Sequence, residues 1–529
     1  AEEDSTLRER KLTEKKDDVV VVADQEHYGP VRLFSVGLEG KEVRRLTRNE
    51  RVIREFAVSP GGGWAVLSEN VHVDYQYDHR VRPDQYLLDL ESGEMEEIFT
   101  EAYLDPSSFQ WAEGGEGFYC RRAFASDSTD DYVSISHLWY FDMEERELRP
   151  VTMFWEKGLG MGGWHVADGG ALVTLADGSR NRLAYVEPKR GGFSRRFVES
   201  PSGLQVRVMA GKPGSERVVY MASDASTPPR IMTAELRGGR LRGERELIEI
   251  NKPLEERILV RSEVITWKGA RGDEVAGILY YPRGYEEGRS WPLMVDLHGG
   301  PAGADLDFFS ERWSNYPHLL GGKGIAVLRV NYHGSGNFGL EWVESIKGHY
   351  YEYEVPDILS GVDTLVARGL AHPDSLGIMG WSNGSILAIA SALETDRFKV
   401  MLAGAGDVNW TSDYGNCAFG AGFDNAYFGG PPWEKTDVYI EKSPLFRMED
   451  LTTPTLIMFG TEDTSVPTEQ GWEHFRAMQQ IGAAPVRFIL FPGAGHGPTK
   501  LSHRRRKMTE ELAWIDRHLL GRDVEENEA

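Results

Sequence analysis

Up to about residue 255 the chain alternates. Apolar and polar residues exchange places over short runs broken by glycine-rich turns, the period-two pattern of strands with one buried face. One phrase recurs: an aromatic or apolar residue, a Gly-rich turn, then an apolar strand. It reads "FAVSPGGGWAVLSE" (56–69), "FQWAEGGEGFYCRR" (109–122), "WHVADGGALVTLAD" (164–177) and "VMAGKPGSERVVYMAS" (208–223). A second phrase follows, of strand, polar turn and strand, as in "QYLLDLESGEMEEIFT" (85–100) and "LWYFDMEERELRPVT" (138–152). Residues 17–47 fit as an earlier copy. A spacing of roughly 45–50 residues with about four strands per unit is the size of a propeller blade. About five units are legible. A β-sandwich would share the alternation, but the fixed period favours a propeller.

Beyond 255 strands alternate with helices. "PLMVDLHGG" (292–300) and "GIAVLRVNY" (324–332) are near-continuous apolar runs, as strands covered on both faces require. In "VPDILSGVDTLVARG" (355–369), Ile358, Val362, Leu365 and Val366 share one helical face, with Pro356 near the start and Gly369 near the end. Further strands are expected at 376–380, 400–406, 454–460 and 486–493. The succession predicts a mostly parallel sheet with helices on both faces. The expected architecture is an all-β propeller over 1–255 followed by an α/β-hydrolase domain over 256–529.

Composition narrows the function. With 529 residues, 40% hydrophobic and 27% charged, the chain suits a globular protein of two domains. A net charge of −24 argues against nucleic acid or an anionic membrane as partner. No apolar run reaches the roughly 18 residues of a membrane span. The basic run "HRRRK" (503–507) opens an amphipathic helix with Met508, Leu512, Ile515 and Leu519 as its stripe, and reads as a solvated face. Two cysteines, Cys120 and Cys417, fall in different expected domains, which disfavours a disulfide framework or a Cys-based metal site. No metal or cofactor motif is present. The first twenty residues are charged and lack both a signal core and an initiator Met, so either a leader has been removed or this is a piece of a longer chain. The free thiols mildly favour the cytoplasm. A removed leader would instead imply the periplasm or secretion.

The candidate chemistry lies in "GIMGWSNGSILAIA" (377–390), where an apolar strand turns into an apolar helix. Gly380-x-Ser382-x-Gly384 is the nucleophile-elbow pattern. Its tight turn forces the serine into strained angles, excludes bulky neighbours and lifts Oγ above the sheet. A hydroxyl needs a base, and in this fold Ser precedes Asp or Glu, which precedes His, each on a loop after a strand. "IMFGTEDTSVP" ends one strand and offers Glu462 and Asp463. "LFPGAGHG" ends the next and offers His496. The expected roles are Ser382 as nucleophile, His496 as general base and acid, and Asp463 as the group that orients the imidazole. For the oxyanion hole, the backbone N–H of Asn383 is one donor. The loop "HGGPAG" (298–303) supplies the other, Gly300 preferred over Gly299. His298 precedes the serine and is read as a loop-positioning residue.

These segments, with "NYHGSGNFG" (331–339), "GDVNWTSDYG" (407–415), "FGGPPWE" (428–434) and "SPL" (443–445), resemble the prolyl oligopeptidase family of serine peptidases. The acylaminoacyl-peptidase and bacterial dipeptidyl-peptidase-like branch is the nearest. The resemblance is strong over 260–521 and looser before. It implies a cofactor-free enzyme on short peptides, with substrate between the two domains and a propeller that excludes folded proteins. It implies that Phe419, Phe423, Tyr427 and Phe428, within the aromatic stretch 414–433, wall the side-chain pocket, against a reading as ordinary packing. It places Ser465 where relatives often carry Arg or Asn gripping a substrate carbonyl. Asn383 and Ser385 stand where Tyr and Gly are frequent, and five visible blades stand against a usual seven, from truncation or a small propeller. Two rivals remain: a carboxylesterase on the same machinery, and a non-catalytic propeller-bearing binding protein. Homo-oligomerisation is left open.

Overall fold

The computed structural model describes residues 30–70, 82–100, 106–128, 132–211, 215–254, 256–257 and 259–522. The start of the first expected repeat, before residue 30, lies outside them, as do residues 212–214 of the fifth. Apart from an isolated parallel bridge between Val31 and Val52, the described residues up to 248 form antiparallel sheets. Four are four-stranded meanders, with first strands at Val52–Val58, Ser107–Trp111, Leu159–Ala167 and Gln205–Gly211. Phe34–Val36 and Val43–Arg45 make a two-stranded sheet. First strands of successive four-stranded sheets lie side by side, as blades around an axis require. Side chains bond across the blades: Phe109 N–H to Glu55 Oε1 (2.9 Å), and the Trp111 indole to the Ala57 carbonyl (2.8 Å). Each meander buries its alternate residues between blades, as the period-two pattern requires.

After the 3₁₀ turn Lys252–Leu254 comes one eight-stranded sheet. Its strands are β1 (Ser262–Lys268), β2 (Glu274–Tyr280), β3 (Trp291–Leu297), β4 (Ala326–Asn331), β5 (Ala371–Trp381), β6 (Phe398–Gly404), β7 (Thr455–Gly460) and β8 (Val486–Phe491). The order is β1-β2-β4-β3-β5-β6-β7-β8, parallel from β4 onward. Strand residues alternate between two cores. Leu293, Val295, Leu376 and Ile378 pack with helices α1 (Glu354–Ala367) and α2 (Asn383–Leu393), whereas Met294 and Met379 pack on the opposite face. Helices α3 (Trp410–Asn416), α4 (Gly420–Phe428) and α5 (Thr468–Ile481) follow, and α6 (Leu501–His518) closes that opposite face through Trp514 and Ile515.

The basic run at the start of α6 needs one correction. Arg505 and Arg506 are exposed, but Lys507 is buried. Its ammonium bonds both Glu511 oxygens (2.5 and 2.6 Å) and sits 5.5 and 5.4 Å from the ring centres of Trp313 and Trp381. Helical spacing alone could not reveal a cation paired one turn on and roofed by indoles.

The two regions meet along a polar seam built on the hairpin Asp177–Arg180. Asn337 takes up a left-handed conformation (φ 72°), and its Nδ2 donates to the carbonyls of Gly178 (2.6 Å) and Arg180 (2.8 Å). Gly178 N–H returns a bond to the Asn337 carbonyl (2.9 Å). Asn331, at the end of β4, donates to Ser179 Oγ (3.1 Å), and Arg180 pairs with Asp307 (3.0 Å). Asn337→Ala leaves the buried Gly178 carbonyl and the part-buried Arg180 carbonyl without their side-chain donor, a cost of about 1–3 kcal/mol. The expected result is a melting midpoint lower by roughly 2–10 °C in differential scanning calorimetry. An unchanged midpoint would show that the seam contributes nothing to stability.

Candidate active site

The elbow forms because three glycines permit contacts that no side chain would. A Cβ on Gly380 would lie 2.2 Å from the Gly384 carbonyl carbon, and one on Gly384 would lie 2.0 Å from the Leu297 carbonyl oxygen. Helix α2 therefore starts pressed against the ends of β3 and β5. Ser382 between them is held at φ 60°, ψ −134°, a strained region for a residue with a side chain. Its N–H bonds the Gly404 carbonyl (2.9 Å), and it remains half-buried. Ser385 fits because it faces a third glycine: a Cβ on Gly406 would stand 2.4 Å from Ser385 Oγ.

The loop after β3 runs beside this turn. A Cβ on Gly299 would meet the Ser382 Cβ at 3.3 Å, so Gly299 lies directly against the serine. Gly300, at φ 144°, turns the chain back until Gly303 lies close to the Gly299 carbonyl. His298 is half-buried, and the protein packed around its ring pushes its pKa down to about 4. Its Nδ1 faces the Gly299 carbonyl (2.9 Å), a pure acceptor, so Nδ1 carries the proton and Nε2 accepts from Ser335 Oγ (2.9 Å). The ring stacks on Tyr332, whose hydroxyl donates to the His298 carbonyl (2.7 Å) and accepts from Asn383 Nδ2 (3.0 Å). Asn383 Oδ1 accepts from the Tyr350 hydroxyl. With its side chain clasped by two tyrosines, Asn383 has only its backbone N–H to offer the site.

Asp463 and His496 stand on the loops after β7 and β8. The Asp463 carboxylate is fully buried. It accepts from the N–H groups of Ser465 (3.0 Å) and Val466 (3.1 Å) and faces His496 Nδ1 at 2.9 Å. The His496 side chain is one-third exposed and so reachable. Gly460 brings these loops together: a Cβ there would lie 2.1 and 2.2 Å from the carbonyls of Ala494 and Gly495. One further contact joins the His496 loop to the Ser382 turn. The indole of Trp381, the residue before the serine, donates to the His496 carbonyl (2.8 Å). Glu462 donates its N–H to the Ala494 carbonyl (2.9 Å) and so braces the same loop through its backbone.

The expected pocket residues divide. Phe423, Tyr427 and Phe428 are buried in an aromatic cluster with Tyr350, Trp410 and Tyr439, while Phe419 is half-buried at its margin. Ser465 lies in the Asp463 loop, where its N–H holds the carboxylate and its carbonyl accepts from the Cys417 thiol (3.0 Å). Trp381, Tyr332, Tyr350 and Cys417 escape a reading by motif. Only Trp381 carries a signal, its place inside the elbow pattern.

Beside Tyr332, His333 is clamped between Asp357 (2.6 Å from Nδ1) and Asp273 (3.1 Å from Nε2) and stacks on Trp342. Burial alone would lower its pKa. The hydrogen bond and charge of Asp357, with Asp273 behind, outweigh burial and hold it above the ordinary 6.5.

Residues 312–522 match the model of the prolyl oligopeptidase family. The chain is similar to the uncharacterized peptidase YuxL of Bacillus subtilis, 25% identical over 511 residues that make up 92% of this chain and 74% of that one. It is similar to the acylamino-acid-releasing enzyme of Rattus norvegicus, 28% identical over 251 residues, 46% of this chain and 33% of the enzyme. Among solved structures, a puromycin-hydrolyzing peptidase of Mycobacterium tuberculosis superposes with a TM-score of 0.71 at 22% identity, over 91% of this chain and 72% of that one. It shares the fold of a propeller followed by an α/β-hydrolase domain.

Two outcomes follow from the geometry. Gly460→Ala should displace the His496 loop and lower kcat about 100-fold, and the melting midpoint should fall as well because the added Cβ presses on backbone. Wild-type kcat would mean that the loop tolerates the shift. For His333, a raised folded pKa means that the clamp's stabilisation is complete below 6.5 and fades as pH rises through the folded value. The midpoint should therefore fall on the alkaline side in the wild type. His333→Gln should flatten that limb, and an identical limb in both proteins would remove the clamp as its cause.

Proposed function

This chain belongs to the prolyl oligopeptidase family of serine peptidases, and from that premise we propose that it hydrolyses short peptides through an acyl-enzyme on Ser382. His496 takes the Ser382 proton as Oγ attacks the scissile carbonyl, and Asp463 steadies the imidazolium. The N–H groups of Asn383 and Gly300 receive the oxyanion. Collapse expels the amine, which leaves with the proton from His496. Water then enters, loses a proton to His496 and releases the acid and free serine.

One observation carries the reading. The Trp381 indole fastens the elbow to the carbonyl of His496, whose ring faces the buried Asp463, so nucleophile and base sit on mutually braced loops. A propeller joined to this domain along a polar seam favours a peptide-selecting enzyme over a simple carboxylesterase. The blocked or free state of the substrate's N-terminus is the finer question, and the acylamino-acid-releasing relative makes N-acylated substrates worth testing first.

The test is hydrolysis of chromogenic aminoacyl, dipeptidyl, N-acyl-aminoacyl and simple ester substrates, with Ser382→Ala as blank. The expected outcome is cleavage of at least one peptide class, with kcat reduced at least about 1,000-fold in Ser382→Ala because triad members act as a unit. Cleavage of the ester alone would establish the esterase instead. Activity near wild type in Ser382→Ala would mean that another residue is the nucleophile.

A further inference from the structure

We propose that the cavity between the last propeller sheet and the loop following the oxyanion glycines binds the C-terminal carboxylate of a short peptide through Arg207 and Arg312. This rests on the peptidase reading above and adds a polarity to it: the enzyme would read the end of the peptide that carries the negative charge.

The cavity measures about 570 Å³, within the roughly 300–1,000 Å³ of small-ligand sites. One wall is Ala304–Arg312, which continues directly from the loop 298–303 beside Ser382. The other is propeller, with Arg207 and Met221, and the 3₁₀ turn, with Leu254. Trp313, next in the wall segment, packs on Trp381 with ring centres 5.0 Å apart, so the wall is anchored at the residue before the nucleophile.

The charges in this cavity are unevenly matched. Arg329 is taken by Asp296 (3.3 Å) and Asp305 (2.5 Å). Glu311 is turned away onto the backbone N–H groups of His318 (3.0 Å) and Leu319 (3.1 Å). Arg207 and Arg312 are both exposed, and neither has a carboxylate partner among the described residues. The Arg207 guanidinium lies over the Phe308 ring at 4.5 Å, which fixes its direction. Although its surface is accessible, the protein packed around the guanidinium and then the charge of Arg312 draw its pKa down, so the two cations feel each other. An anion between them relieves that repulsion, and guanidinium groups match a carboxylate in shape as well as charge. Phe309, Met221 and Leu254 offer apolar surface to the adjoining side chains. In a chain of net charge −24, two unpaired arginines in one cavity are a specific exception to the surrounding field.

The test compares the peptide Ala-Phe-Ala-Leu with its C-terminal amide. By calorimetric titration of the Ser382→Ala protein, the free acid should bind at least about tenfold more tightly than the amide, the effect of a charge-assisted bond. Adding Arg207→Gln and Arg312→Gln should abolish that difference. The same pair in the Ser382 enzyme should leave p-nitrophenyl acetate hydrolysis within about twofold, which shows that the fold is intact. N-acetylphenylalanine, a carboxylate without a free leaving group, should compete with the peptide acid. Inhibition without competition would make the cavity an effector site and overturn the substrate assignment. Equal affinities, or an acid preference that survives both substitutions, would overturn the proposal outright. A peptide acid that binds in an arginine-dependent way but is never hydrolysed would overturn the peptidase reading and leave the carboxylate site standing.

Discussion

The hydrolase domain depends on backbone lying against backbone at a few glycines. Gly380 and Gly384 let α2 start where β3 and β5 end, and Gly460 lets the loop after β8 cross the end of β7. Each contact is closer than any Cβ would permit, so the ends of β3, β5, β7 and β8 are held close to the segments that follow them. The strain at Ser382 follows from the same constraint, because a turn that short leaves the serine no relaxed conformation. Packing in two cores, one on each sheet face, holds the elements rigid enough for the strain to persist. The Ser382 hydroxyl, the His496 imidazole and the Asp463 carboxylate stand on separate loops, and these glycines with the Trp381 indole hold the loops close.

What surrounds those loops is a second layer that fixes orientation. Tyr332 holds the His298 loop on one side and Asn383 on the other with a single hydroxyl. Trp381 links the elbow to the His496 loop and lies under the ammonium of Lys507, whose charge is neutralised by Glu511. The buried ion pair is costly to form, and its place beside an indole that braces the His496 loop agrees with a positioning role more than with stability for its own sake.

The sequence revealed what is local and hid what is distant. The propeller rhythm, the strand–helix alternation and the elbow glycines are each written within a few consecutive residues, so period and composition expose them. Asn337 could not be read as the propeller's partner because its contacts, Gly178 and Arg180, lie more than 150 residues away. Lys507 looked like solvated charge because helical spacing says nothing about which neighbouring element supplies a roof. The aromatic stretch 414–433 was visible as a stretch, but the burial of Phe423, Tyr427 and Phe428 around Trp410 is decided by tertiary packing. In "GTEDTSVP", the backbone N–H of Ser465 turned out to hold Asp463, a use of serine that no side-chain argument anticipates.

The seam gives the propeller more than a covering role. Asn331, at the end of β4, donates both to Ser179 of the propeller hairpin and to the carbonyl of Asp305, while Asp305 N–H returns a bond to Asn331 Oδ1. Asp305 in turn holds Arg329 and begins the wall that leads to Trp313 and Trp381. On the other side, the N–H of Gly336 bonds the carbonyl of Gly303, tying the Asn337 segment to the oxyanion loop. Any movement of the hairpin Asp177–Arg180 is therefore felt at Gly303, Asp305 and Asp307, in the loop that runs on from beside Ser382. A propeller attached in this way cannot shift without moving the loop beside Ser382, so the position of the propeller and the conformation of that loop are set by one hydrogen-bond network.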